Sequence, residues 1–180
     1  MTPAPGKLLV ASPAIADPNF YRTVILLLRY DEEGAFGLVL NRPLEDAAVD
    51  EHLPSWATNV AEPRVIFAGG PVEREVAFAL GRCPENAELP GIVLPGVTVL
   101  DVSADPAADV LEGVRIFSGY AGWGAGQLDE EMKDSGWFVV DALPGDIFSG
   151  EPQQLWRDVL RRQKGELAMF AHFPPSPSHN

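Results

Sequence analysis

Nearly continuous apolar runs alternate with short polar turns near the start of the chain. Residues 7–12, 23–30 and 36–41 are rich in aliphatic and β-branched side chains, which predicts three strands. The polar residues 31–35 separate the last two runs and predict a β-hairpin with a five-residue loop. Because few polar residues interrupt these runs, we expect both faces of the strands to be buried.

The remaining pattern predicts further strands and short helices. Strands are predicted at 64–68, 76–82, 97–102, 114–118 and 137–140. Helices are predicted at 45–53, from Asp105 and Pro106, at 127–134 and at 152–163, where Leu155, Trp156, Val159 and Leu160 form one apolar stripe. Because strands dominate and helices interrupt them irregularly, the pattern predicts an α+β fold. We expect a mixed, mostly antiparallel sheet flanked by helices.

Composition favours one domain in a reducing compartment. The chain has 180 residues, of which 46% are hydrophobic, enough for one domain with its own core. We expect this domain to cover residues 6–170, with flexible residues at 1–5 and in the Pro- and Ser-rich tail 171–180. A single cysteine, Cys83, allows no internal disulfide. The sequence shows neither a secretory leader nor a long apolar run, so we expect a cytoplasmic protein with no membrane partner.

The charge distribution argues against nucleic acid as a partner. The formal net charge is −13, and residues 45–151 alone carry 20 acidic and 5 basic side chains. Such a surface repels the phosphate backbone that dominates nonspecific binding to DNA. The final predicted helix is the exception, because it carries Arg157, Arg161, Arg162 and Lys164. This cluster could contact DNA or an acidic partner, or it could be a solvated face opposite the apolar stripe.

The glycine-rich segment 119–126 suggests a phosphate-binding loop. It lies between a predicted strand and a predicted helix, which is the layout of such a loop and gives nucleotide binding, or an enzyme, as one hypothesis. However, Gln127 occupies the last glycine position of the usual motif, and Asp129 follows in the first helical turn. At about 4 Å an acid there would repel a phosphate by about 1–4 kcal/mol. The competing interpretation is a structural turn that packs Tyr120 and Trp123.

Two other segments could recognise an anion. The Gly-Gly-Pro sequence at 69–71 could expose backbone N–H groups as an anion nest, or it could be a simple turn. Arg42, at the end of a predicted strand, could hold a carboxylate or phosphate with two N–H groups, or it could pair with a nearby acid. The histidines lack metal-ligand spacing, and Cys83 has only Arg82 as a neighbouring cation. We therefore predict no catalytic residue, metal site or cofactor.

Longer sequence segments resemble those of a known protein family. Characteristic segments occur in order at 11–28, 34–43, 67–72, 119–132 and 136–142. Over roughly residues 7–163 the chain resembles the YqgE/AlgH family of bacterial proteins, and residues 149–163 resemble its actinobacterial members. The resemblance implies a compact α+β fold with a bent, partly bifurcated sheet in a bacterial cytoplasmic protein. It implies no reaction, and the label of transcriptional regulator given to some members adds direct DNA binding as an alternative.

We therefore expect a noncatalytic binding or regulatory module. Its partner would be a protein or a small molecule that the sequence does not identify, and the oligomeric state stays open. The alternatives are a nucleotide-binding protein or enzyme that uses the glycine-rich segment, and a regulator that binds DNA directly. The candidate binding surface comprises Asn41, Arg42, Gly69, Gly70, Tyr120, Trp123 and Gln127.

Overall fold

The computed structural model describes residues 1–104 and 111–175 of the chain. The strands are β1 (Lys7–Ala11), β2 (Val24–Asp31), β3 (Gly34–Val39), β4 (Pro43–Ala48), β5 (Val65–Ala68), β6 (Val72–Arg82), β7 (Ile92–Leu94), β8 (Val97–Leu100), β9 (Gly113–Gly124) and β10 (Trp137–Asp141). The α-helices are α1 (Val49–His52), α2 (Gln127–Lys133), α3 (Pro144–Ile147), α4 (Leu155–Arg161) and α5 (Leu167–Phe170). Short 3₁₀ helices cover Pro54–Asn59 and Pro152–Gln154. The helix expected from Asp105 and Pro106, and the end of the predicted flexible tail, lie outside the described residues.

The strands form one curled sheet that branches at β9. Its main path runs β10-β1-β2-β3-β9-β6-β8-β7, and every pair along it is antiparallel. The strand β9 also pairs in parallel with β5, which in turn pairs with β4. At the far edge, β7 curls back toward the start of β1, where a Cβ on Gly6 would lie 2.6 Å from the Val93 carbonyl oxygen. The predicted α+β fold with a mixed, mostly antiparallel, bent sheet is therefore confirmed.

The apolar core lies on both faces of this sheet. The largest cluster joins β1, β2, β3 and β9 to α4, on which Leu155, Trp156, Val159 and Leu160 are all buried as the stripe predicted. A second cluster on the opposite face packs Leu128 of α2 against Trp123 and Trp137. Burial of both faces explains why the first strands are almost uninterrupted apolar runs. Within the described ranges, no helix combines the length and apolar composition that crossing a bilayer requires.

Three local predictions need correction. The acidic segment 45–53 was expected to be helical, but β4 extends to Ala48 and α1 covers only four residues, because pairing with β5 overrides local helix preference. The hairpin loop is shorter than five residues, since Asp31 of β2 pairs with Gly34 of β3. The glycine-rich segment is not a loop through most of its length, because β9 continues to Gly124.

Two glycines, Gly34 of β3 and Gly119 of β9, allow close backbone approach at β9. The end of β9 pairs with β3, and the Gly34 backbone comes so close to it that a Cβ there would lie 2.1 Å from the Trp123 carbonyl oxygen. On the other side, Gly119 adopts a φ of 75° and approaches the Gly70 carbonyl, which would lie 2.5 Å from a Cβ at position 119. Residues without side chains therefore let β3 and the β5–β6 connection approach β9 closely.

Candidate functional site

A cavity lined by several polar side chains lies at the end of β3. It has a volume of about 530 Å³, and we call it the Arg42 pocket. One wall is the segment after β1, at Pro18 and Asn19, and another is the connection from β3 to β4. The β5–β6 connection and the first part of β6 form a further part of the lining. Its polar lining residues include Asn19, Asn41, Arg42, Glu45, Arg74, Ser118 and Gln153.

Arg42 is the central polar group of this pocket. Its guanidinium donates from Nη1 to the Pro18 carbonyl at 3.2 Å and from Nη2 to the Tyr21 carbonyl at 2.5 Å. Burial lowers the pKa of Arg42 below its ordinary value, because the charged form loses hydration. No carboxylate within the described ranges forms an ion pair with Arg42. An arginine has five N–H donors, so the two carbonyl contacts leave capacity for a ligand.

Asn41 fixes the position from which Arg42 projects. Its Oδ1 accepts a hydrogen bond from the Val24 N–H at 3.0 Å, and its Nδ2 donates to the Arg22 carbonyl at 2.9 Å. These bonds tie the end of β3 to the start of β2. The amide of Asn41 is therefore bound to backbone groups at both its oxygen and its nitrogen. Its contribution to the pocket is to orient Arg42, the residue that follows it.

The glycine pair at the floor of the pocket is held by the sheet. The Gly69 N–H donates to the Ser118 carbonyl at 2.8 Å, and its own carbonyl accepts from the Val39 N–H at 2.8 Å. A Cβ on Gly70 would lie 2.0 Å from the Tyr120 carbonyl carbon, which no side chain can tolerate. These positions need glycine because they cross β9 closely. Gly70 also lines the pocket, whereas Gly69 is buried beneath it.

The pocket is locally cationic although the chain is strongly acidic. Two arginines, Arg42 and Arg74, line it together with one acid, Glu45. Arg74 is exposed on β6, and its carbonyl accepts a hydrogen bond from the Ser118 hydroxyl at 2.9 Å. Low-dielectric walls focus the field of such charges, so a small anion is favoured here over the surrounding surface.

Tyr120 and Trp123, two further residues of the predicted surface, line a different cavity. This cavity has a volume of about 290 Å³ and also involves Arg29 and Phe36. The Tyr120 ring packs with its centroid 4.5 Å from that of Phe36. The seventh residue, Gln127, accepts a hydrogen bond at Oε1 from the Gly124 N–H at 3.0 Å and closes the turn into α2. The structure thus brings Asn41, Arg42 and Gly70 to one cavity, with the buried Gly69 adjacent, whereas Tyr120, Trp123 and Gln127 do not line it.

The basic residues at the end of the chain are engaged in part with acids. Arg162 donates from Nη1 and Nη2 to the two carboxylate oxygens of Asp146 at 2.5 and 2.6 Å. Arg161 forms a longer ion pair with Asp158, at 3.6 Å. These contacts reduce the positive field that the cluster would offer to a phosphate backbone. The structure therefore fits a solvated helix face better than a DNA-reading surface.

Arg115 is a structural cation that the sequence reasoning missed. It lies in β9 with 1% of its surface exposed, and it donates to the carbonyls of Ile147, Ser149 and Glu62 at 3.1, 2.8 and 2.5 Å. Its guanidinium stacks 4.3 Å from the centroid of the Phe67 ring. Burial lowers its pKa to about 10, so it stays protonated at neutral pH. The sequence signal for this role was one charged residue inside an otherwise apolar predicted strand.

Comparison with known proteins identifies relatives over almost the whole chain. A family model described as AlgH-like, DUF179, matches residues 8–168. The UPF0301 protein of Streptomyces avermitilis is 48% identical over 183 residues, which cover 97% of this chain and 94% of that protein. The UPF0301 protein of Thermobifida fusca is 42% identical over 189 residues, with coverage of 97% and 94%.

Solved structures agree with this assignment. The X-ray crystal structure of a protein from Corynebacterium diphtheriae matches with a TM-score of 0.89 at 31% identity, covering 96% of this chain and 94% of that one. The solution structure of the AlgH protein from Pseudomonas aeruginosa matches with a TM-score of 0.66 at 27% identity, with coverage of 98% and 100%. The family resemblance drawn from the sequence is therefore confirmed.

Proposed function

We propose that this chain, which belongs to the AlgH-like family, is a noncatalytic binding protein that holds a small carboxylate- or phosphate-bearing ligand in the Arg42 pocket. The observation that carries the proposal is a half-buried guanidinium, on the wall of a cavity of about 530 Å³, whose recorded partners are two carbonyl oxygens. Carbonyl groups satisfy N–H donors but do not neutralise the charge.

Arg42 loses part of its hydration on folding. Burial disfavours its charged form, as the lowered pKa shows. A bound anion would restore a favourable environment, and charge-assisted hydrogen bonds from arginine to carboxylate or phosphate are about twice as strong as neutral ones. The binding energy of such a ligand therefore comes largely from neutralising a cation that the fold has already desolvated.

The charge pattern of the whole protein supports a small ligand rather than a polymer. The acidic body, with 20 acidic and 5 basic residues between positions 45 and 151, repels an extended polyanion. A compact anion needs to contact only the lining of the cavity, where Arg42 and Arg74 outnumber the one acid, Glu45. The proposal therefore favours a metabolite-sized carboxylate or phosphate over an oligonucleotide.

The chemistry of Cys83, which does not line the Arg42 pocket, and of the polar groups at the pocket supports binding rather than catalysis. Burial, together with the charge of Glu112, raises the pKa of the Cys83 thiol and so disfavours the nucleophilic thiolate. The Ser118 hydroxyl at the pocket donates its proton to a backbone carbonyl, and the Asn41 amide is bound to backbone groups. These side chains are suited to shaping a binding cavity.

A panel of inorganic phosphate, phosphate monoesters and mono- and dicarboxylates would test the proposal by thermal shift and calorimetry. We expect at least one class to raise the melting temperature, since a ligand at about 100 times its dissociation constant stabilises a protein by about 2.7 kcal/mol. Arg42→Gln should abolish that shift, and Arg74→Gln should weaken it. Arg161→Gln is the matched control, because it removes one exposed arginine that does not line the pocket.

The outcomes separate binding from folding. Arg42→Lys keeps the charge but loses the planar pair of donors, so it should bind the ligand about tenfold or more weakly while remaining folded by circular dichroism. The proposal is wrong if no anion in the panel binds at about 10 mM, or if Arg42→Lys and Arg74→Gln bind as tightly as the Arg161→Gln control.

A further inference from the structure

We propose a second ligand site, for a small ammonium compound that also carries an oxygen acceptor, in a cavity between α2 and the segment that follows β1. This cavity, which we call the Glu131 pocket, has a volume of about 210 Å³. It is lined by Ala14, Ile15, Glu131, Asp134, Gly136 and Trp137. It shares no lining residue with the Arg42 pocket, so the two proposals stand or fall separately.

The first observation is a carboxylate oxygen without a partner. Oε2 of Glu131 is buried and accepts no hydrogen bond within the described ranges. Burial raises the pKa of Glu131, the charge of Asp17 raises it further, and a hydrogen bond from Trp123 opposes both effects. A buried carboxylate oxygen without a donor is costly, so this position favours a ligand that supplies an N–H group.

The second observation is an indole N–H without an acceptor. Trp137 is 4% exposed, and its buried Nε1 donates no hydrogen bond to any residue that the structure describes. Two other tryptophans show the usual behaviour, because Nε1 of Trp56 donates to the Val102 carbonyl at 3.0 Å and Nε1 of Trp156 donates to the Ala11 carbonyl at 2.8 Å. Trp137 lines the cavity, and a side-chain rotation that exposes Nε1 there would offer a donor to a ligand oxygen.

The two unpartnered atoms define the class of ligand. An ammonium group supplies donors to Glu131, and a hydroxyl or carbonyl oxygen accepts from Trp137. The lining acid Asp134 and the nearby Asp17 add negative charge, and the cavity has no basic lining residue among those the structure describes. The small volume and the apolar wall at Ala14 and Ile15 suit a short carbon chain. A small amino alcohol meets all of these requirements.

Titration of the ¹⁵N-labelled protein with ethanolamine would test this site. The chain has four tryptophans, so four indole N–H resonances are expected, and Trp137→Phe assigns the relevant one. Ethanolamine should shift the Trp137 resonance and leave those of Trp56 and Trp156 in place. Ethylamine lacks the oxygen and ethanol lacks the charge, so both should shift it at least about tenfold less at equal concentration.

Substitution of the acid completes the test. Glu131→Gln keeps an oxygen that can accept from Trp123 but removes the charge, and we expect its affinity for ethanolamine to fall by about tenfold or more. Glu130→Gln is the control, because Glu130 is the exposed neighbour that pairs with Lys133 at 3.0 Å. If Glu131→Gln does not fold, Asp134→Asn should still weaken binding several-fold.

The result that overturns the proposal is equally direct. An unmoved Trp137 resonance at about 50 mM ethanolamine would remove the site, as would equal shifts with ethanol. Equal affinity in the folded Glu131→Gln and Glu130→Gln proteins would show that the carboxylate does not hold the ligand. None of these measurements depends on Arg42, so failure here leaves the anion-binding proposal in place.

Discussion

Replacement of Arg115 by methionine tests the most heavily bonded buried charge described above. Methionine is unbranched and can fill much of the space that the arginine stem occupies, so the change removes mainly the guanidinium. The carbonyls of Glu62, Ile147 and Ser149 would then lose their donors. The contact between the guanidinium and the Phe67 ring would be lost as well.

The expected cost follows from the orphaned acceptors. Each fully buried polar group left without a partner costs about 1–3 kcal/mol, and the hydrogen bonds to the Ser149 and Glu62 carbonyls are only part-buried, so the gross loss is at most about 9 kcal/mol. Removing a desolvated cation offsets part of this loss, because its charged form is disfavoured by burial. We expect Arg115→Met to lower the free energy of unfolding by about 3–5 kcal/mol. For a chain of this length that corresponds to a fall in melting temperature of about 6–20 °C.

Urea unfolding followed by circular dichroism and tryptophan fluorescence would measure this loss. Arg115→Lys keeps a cation that can reach one or two of the carbonyls, so its cost should lie between that of methionine and zero. Arg161→Met is the control, since an exposed ion pair is worth at most about 1 kcal/mol. The reasoning is refuted if Arg115→Met unfolds within about 1 kcal/mol of the parent protein, because the three carbonyls would then not depend on Arg115.

Three further predictions follow from the same structure. Gly70→Ala should cost about 3 kcal/mol or more in urea unfolding, because its Cβ would overlap the β9 backbone, whereas Gly145→Ala, which meets nothing within 4 Å, should be nearly neutral. Arg162→Ala should cost about 3 kcal/mol in the same assay, because it leaves the Asp146 carboxylate, 5% exposed, without its cation. Burial raises the pKa of Glu131 on folding, so its contribution to the free energy of unfolding is favourable below pH 4.5 and is lost as the pH rises through the folded pKa. We therefore expect Glu131→Gln to raise the melting temperature at pH 8 and not at pH 4. A constant difference between the two pH values would contradict this last prediction.

The sequence was informative wherever burial alone decides the structure. Uninterrupted apolar runs predicted β1, β2 and β3, and the apolar stripe predicted the buried face of α4, because removing apolar surface from water dominates both choices. The helix prediction for residues 45–53 was wrong because β4 forms by pairing with β5, which lies more than a dozen residues away in the sequence. Local composition cannot report a contact of that kind.

The candidate site was predicted in part for the same reason. Arg42 and Gly70 were singled out separately, but only the fold places them around one cavity, whereas Tyr120 and Trp123 lie on another. The glycine-rich segment looked like a loop because glycine is permissive of turns, yet here it lets a strand pass close to its neighbours. The unpartnered atoms of Glu131 and Trp137 left no signal in the sequence, because hydrogen-bond satisfaction is a property of the folded arrangement.

The branching of the sheet at β9 has a consequence for the order in which the chain can fold. Its partners β3, β5 and β6 all precede it along the polypeptide, so during translation none of them can complete its hydrogen bonds until residue 124 has left the ribosome. Nascent chains that stop before Gly113 should therefore stay sensitive to protease. Resistance should appear in one step only in chains that also include β10 and α4, because β10 pairs with β1 and α4 covers the core. Protection that grew gradually with nascent length would show instead that the earlier hairpins are stable by themselves.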